Sequence, residues 1–186
     1  MTTFTRRNLA LAAFASLALT AACGNGVGNT NPQKIDARVD ATLGHLFQEF
    51  PESREVSAKS VATLVMPVIT EAGFGIGGSY GQGALRIDGM TVDYYSATAA
   101  NVGLQIGAQQ YAHVLFFMTQ ESLERFRRND GWAAGADIEY AFSNDGDNFR
   151  TDTNSGLAPV VAYVFAQAGA RIGATLEGMK YSRIIP

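Results

Sequence analysis

The chain has one cysteine, one tryptophan, two histidines and five prolines in 186 residues. A single cysteine has no partner within the chain for a disulfide. Lys and Arg number 14 against 17 Asp and Glu, a formal net charge of −3. No basic field therefore exists to hold a nucleic acid, and no basic stripe with interleaved aromatics occurs, so nucleic acid is not expected as a partner. The amino-terminal apolar run, Leu9 to Ala22, has 14 residues, short of the roughly 20 that a spanning helix requires. What the chain has is hydrophobic residues at 47%, charged residues at 17% and 20 glycines. That balance suits one compact domain of ordinary size plus a processing segment.

Arg6-Arg7 precede the apolar run, which ends in small residues before Cys23. This is the layout of an export signal that is removed. Thr20-Ala-Ala-Cys23 resembles a bacterial lipobox, in which the cysteine sulfur is acylated and becomes the first mature residue; Thr20 departs from the leucine usual there. Acylation explains why an exported chain keeps one unpaired thiol, whereas an accidental cysteine discarded with the signal is the plain alternative. Thr5-Arg-Arg-Asn-Leu9 looks like a twin-arginine signal, and a general secretory signal fits as well. Gly24 in place of aspartate after the cysteine favours the outer membrane by resemblance to sorted lipoproteins, on the periplasmic face. Loss of Arg6 and Arg7 leaves 12 basic residues against the same 17 acidic ones, a formal charge of −5.

The expected division is 1–22 signal peptide, 23–33 lipidated cysteine and tether, and 34–186 folded domain. Gly24 to Pro32 has no periodicity and reads as a flexible tether. Ile35, Val39, Leu43, Leu46, Phe47 and Phe50 recur at helical spacing and Pro51 marks the stop. This stripe packs on a sheet or, alternatively, enters lipid. A short helix over Glu52 to Ser60 precedes a strand, Val61 to Met66.

Asp88-Gly89 suits a type I′ hairpin turn. The implied pairs are Ile87 with Met90, Arg86 with Thr91, Leu85 with Val92, Ala84 with Asp93, and Gly83 with Tyr94, whose ring would cover the glycine. Val102, Leu104, Ile106 and Ala108 alternate with Gly103, Gln105, Gly107 and Gln109, and Val114 to Met118 suits a strand buried on both faces. Thr119 caps a helix over Gln120 to Arg128, acidic early and basic late. Strands are expected near Trp132 to Tyr140, at Val160 to Gln167 and, last, from Arg171 to Leu176, with a polar loop from Ser143 to Gly156. The fold class is α+β: a single domain with a strongly twisted or nearly closed antiparallel sheet and two or three helices.

Ala72-Gly-Phe-Gly-Ile-Gly-Gly-Ser-Tyr-Gly-Gln-Gly-Ala-Leu-Arg86 packs glycine into strand-like sequence at a density ordinary cores do not need. Together with Leu64-Val-Met-Pro67, Val102 to Gln109, Val114 to Met118, Tyr163-Val-Phe-Ala-Gln167, Thr175-Leu-Glu-Gly178 and Tyr181-Ser-Arg-Ile184, it resembles the SYLF domain, over about Lys59 to Ile184. The resemblance implies binding of membrane phospholipid, no catalytic constellation and no cofactor. Eukaryotic relatives use a basic amphipathic amino-terminal helix for phosphoinositides; that region is not basic here, so this specificity is not carried over. Actin bundling, known among those relatives, has no evident target for an exported chain.

Within this frame the candidate lipid-binding residues are Gly75, Gly78, Tyr80, Gly81, Gly83, Arg86, Arg125, Arg127 and Arg128. The absent side chains would let acyl chains or a neighbouring backbone approach, and Arg125, Arg127 and Arg128 with Arg150 would cradle a headgroup phosphate. A hydrated helix end is the alternative for the arginines. Tyr80, Tyr94, Tyr95 and Tyr111 either line an acyl-chain groove or fill the core. A second class of function is an envelope scaffold gripping a protein partner at a sheet edge or the Gln105 and Gln109 face.

Three motif matches lack their context. Gly73 to Gly78 fits G-x-G-x-x-G, with Asp93 placed as a ribose acid, but no helix start follows. Gly77-Gly-Ser79-Tyr-Gly81 fits a nucleophile elbow, yet strand follows where a helix is needed; Ser79 with His45 or His113 is the remote hydrolase alternative. Asn144-Asp-Gly-Asp-Asn148 with Asp152 resembles a calcium loop in composition only.

Overall fold

A computed structural model describes residues 31–129, 132–133, 138–142, 158–166, 176 and 178–186. The elements are α1 (Pro32–Glu49), α2 (Ser53–Lys59), β1 (Ala62–Ile87), β2 (Met90–Phe117), α3 (Gln120–Arg128), β3 (Trp132–Ala133), β4 (Ile138–Phe142), β5 (Val160–Ala166) and β6 (Lys180–Ile184). The expected signal, Cys23, the bulk of the tether, the Ser143 to Gly156 loop, Arg150 and the 171–175 stretch fall outside the described residues.

Helix α1 starts at Pro32, inside the stretch read as tether, because Asn31 Oδ1 accepts from the Lys34 N–H and Pro32 takes the first helical position, where its missing N–H has no intrahelical partner to lose. Its buried stripe is Ile35, Val39, Thr42 and Leu46. That stripe packs with Val65, Ala84, Val114, Phe116, Tyr163 and Phe165, so it covers the sheet instead of standing free for lipid.

Strands β1 and β2 have 26 and 28 residues. A straight strand of 26 residues would run about 85 Å, whereas a compact domain of this size has a radius of gyration of about 15 Å. The ribbon must therefore bend. Register shifts fall between Met66 and Ile69, Phe74 and Ile76, and Leu85 and Arg86. The first surrounds Pro67, which has no N–H for the ladder. Glycine then lets the two halves of β1 meet. A Cβ on Gly83 would overlap the Val65 carbonyl oxygen and sit 2.6 Å from Met66 Sδ, and one on Gly81 would overlap the Val68 carbonyl oxygen.

The strand order is β3-β6-β2-β5-β4, with β1 also paired to β2. All pairs are antiparallel except β4 with β5, so the expected α+β domain with a curled antiparallel sheet is formed, with one parallel pair at its edge. A parallel neighbour needs a connection longer than a hairpin, and 143–159 lies between these two. The single strand expected near Trp132 to Tyr140 is two strands at opposite ends of the order. The last described strand, Lys180–Ile184, falls on the Tyr181–Ile184 segment that the resemblance gives as a closing strand, and Leu176 is a buried non-strand residue. The central run behaves as expected: Val114 and Phe116 face α1, while Leu115 and Phe117 join a second core with Leu64, Tyr111, Phe126 and Tyr181.

The hairpin turn has φ of 50° at Asp88 and 77° at Gly89, positive at both positions as type I′ requires. Ile87 pairs with Met90 and Arg86 with Thr91, but the register then shifts, so Leu85 pairs with Asp93, Ala84 with Tyr94 and Gly83 with Tyr95. Val92 is the extra residue. Tyr95, not Tyr94, lies opposite the glycine. The bulge has a structural consequence, because Thr91 and Tyr94 are three apart and would face opposite sides of a regular strand. With it, both hydroxyls reach the Asp36 carboxylate, at 2.8 Å and 2.9 Å.

Candidate functional site

Helix α3 is held by its cap, Thr119 Oγ1 accepting from the Ser122 N–H at 3.2 Å, and by Leu123 and Phe126, which enter the core. Arg125, Arg127 and Arg128 are thereby left on its outer faces. Arg125 pairs with Glu121 at 3.2 Å and Arg128 with Glu124 at 3.9 Å, both one turn back on the same helix. Arg127 instead crosses to β2 and meets Asp93 Oδ2 at 3.1 Å, while Arg183 of β6 meets Asp93 Oδ1 at 3.2 Å.

Two half-exposed guanidinium groups thus share one largely covered carboxylate. Each has five N–H donors in a planar fork, and the single carboxylate satisfies few of them. This pair is the nearest approach to the expected arginine cradle. It keeps Arg127, adds Arg183, and separates them from Arg125 and Arg128. Asp93 and Arg183 were missed because nothing in sequence links positions 90 residues apart; only the β2–β6 register, with Tyr95 opposite Arg183, brings them together.

Arg86 does not join this group. Its guanidinium pairs with Asp40 and reaches the Asp36 carbonyl, so it fastens β1 to α1. Tyr94 belongs to the same fastening, and burial, then its bond to Asp36, raises its pKa.

The glycines divide. Gly81 and Gly83 admit neighbouring backbone, as one arm of the expectation held. Gly78 is exposed, with Ala99 O at 3.4 Å from a would-be Cβ. Gly75 lies at the Phe74/Ile76 register shift. Tyr80 is half-buried opposite Thr98, whereas Tyr95 and Tyr111 are core residues.

Ser79 lies inside β1, paired with Ala99, with strand on both sides. The strand–turn–helix of a nucleophile elbow is not formed. Gly73 to Gly78 likewise lie within β1 and open no helix. His45 lies against Phe165 with the rings tilted at 49°, and His113 is fully buried with Nε2 2.8 Å from the Tyr181 hydroxyl. Burial lowers the His113 pKa to about 3, so this imidazole is neutral near pH 7 and serves packing.

The β1–β2 turn and the carboxyl terminus expose apolar side chains at one end of the sheet: Met90 at 68%, Val92 at 41% and Ile185 at 98%. Ile185 follows Ile184, the partner of Tyr94, so it sits one step beyond the ladder, level with Asp93.

Residues 98–183 match the family model Ysc84, described as Las17-binding protein actin regulator. No curated protein matches the chain.

Proposed function

We propose, from a chain whose residues 98–183 carry the SYLF/Ysc84 pattern, a phospholipid-binding protein without catalytic chemistry, held to the cell envelope through an acylated Cys23. The family match is the observation that carries this reading. It gains support from the Arg127–Asp93–Arg183 grouping, whose donors suit a headgroup phosphate. The layout of Arg6-Arg7, Leu9 to Ala22 and Cys23 supports export and acylation on the periplasmic side.

The family description names Las17 binding and actin regulation. Carried to this chain, it supports a second reading, an envelope adaptor that grips a protein partner. Actin itself does not fit an exported chain.

The test pairs two measurements. Labelled fatty acid should enter the wild-type chain and not Cys23→Ser, and an untouched wild-type chain would remove the anchor. Residues 24–186, which include every described element, should sediment with anionic phospholipid vesicles, and Arg127→Gln with Arg183→Gln should weaken this severalfold. Unchanged sedimentation of the double variant would take the arginine pair out of the site.

A further inference from the structure

The apolar end face described above has no role in the core. Of the four large hydrophobic side chains exposed among the described residues, three are Met90, Val92 and Ile185. Ile87, the cross-strand partner of Met90, packs against the core, so the face continues the interior outward. Arg127 and Arg183 lie at its border, both anchored on Asp93, the residue after Val92. Asp88 is the exposed acid at the turn.

The start of α1 lies at this same end. Asp36 touches Thr91 and Tyr94 and is about 6 Å along the helix from Pro32. Residues 24–31 can span at most about 28 Å. A chain tethered through Cys23 would therefore keep this end within reach of the bilayer.

We infer that Met90, Val92 and Ile185 form the face that enters the interfacial layer of a phospholipid bilayer, with Arg127 and Arg183 at headgroup level. Apolar side chains gain by leaving water, and arginine forks bind phosphate at that depth. The inference rests on the phospholipid reading and adds which surface makes the contact and which way the molecule stands.

The experiment uses residues 24–186, which lack Cys23 and so carry no cysteine. Single cysteines replace Met90, Ile185 or the exposed Ala72 near the bend, and each carries an environment-sensitive fluorophore. Vesicles contain equal parts phosphatidylethanolamine and phosphatidylglycerol. The expected result is a blue shift and severalfold brightening at positions 90 and 185 and none at 72. The unlabelled Met90→Asp/Ile185→Asp variant, altered only at exposed positions, should lose at least about tenfold in vesicle affinity. Binding with silent labels at 90 and 185, or with equal shifts at 72, would overturn this surface while leaving phospholipid binding intact. No vesicle binding by the unlabelled parent would overturn both.

Discussion

A side chain at Gly83 would have to displace the Val65 carbonyl, because the two halves of β1 touch there through bare backbone. Gly83→Val should destabilise the domain by about 3 kcal/mol, the upper end of the range for forced overpacking, because the clash is with backbone. Gly78→Ala, with 3.4 Å to the nearest atom, should change stability by less than about 0.5 kcal/mol. Denaturant unfolding of the pair checks this, and equal losses would refute the self-contact of β1. His113 makes a pH prediction. Its pKa near 3 in the fold lies below the value of about 6.5 in an unfolded chain, so below about pH 6.5 the unfolded state binds the extra proton. Stability is therefore lost as pH falls from about 6.5 toward 3, at up to about 1.4 kcal/mol per pH unit from this group. His113→Phe should flatten that part of the profile; an unaltered slope would assign the acid sensitivity elsewhere.

At the scale of elements, local chemistry was legible and long-range pairing was not. Pro51 follows the end of α1, Thr119 caps α3 and Asp88-Gly89 makes its turn because each acts within a few residues, whereas the Asn31 cap lay in a stretch read as tether. The bulge at Val92 escaped the reading because the group it brings into reach lies in α1: the shifted register lets Thr91 and Tyr94 share Asp36. Asp36→Ala should accordingly cost about 2 kcal/mol, the loss of two part-buried hydrogen bonds at about 1 kcal/mol each. A cost near zero would mean the bulge is held by packing alone. The split of the expected 132–140 strand into β3 and β4 was equally invisible, since a short apolar stretch carries no sign of which edge it joins.

At the scale of the molecule, the glycine density suggested a need for bare backbone without saying whose backbone approaches. The fold answers for Gly81 and Gly83, whose neighbours are Val65, Val68 and Ile69 of the same strand. Arginines that looked like one cluster on α3 separate into local helix pairs and one cross-sheet pair through Asp93. The lipid-binding account therefore moves from the glycine segment to the end of the sheet that carries Arg127, Arg183, Met90 and Ile185. Its most direct test is flotation of residues 24–186, which omit Cys23 and the apolar Leu9 to Ala22 run, on neutral and anionic phospholipid vesicles. The account predicts that the folded chain rises with the vesicles, more strongly with anionic lipid. A folded chain that stays at the bottom of both gradients would contradict it.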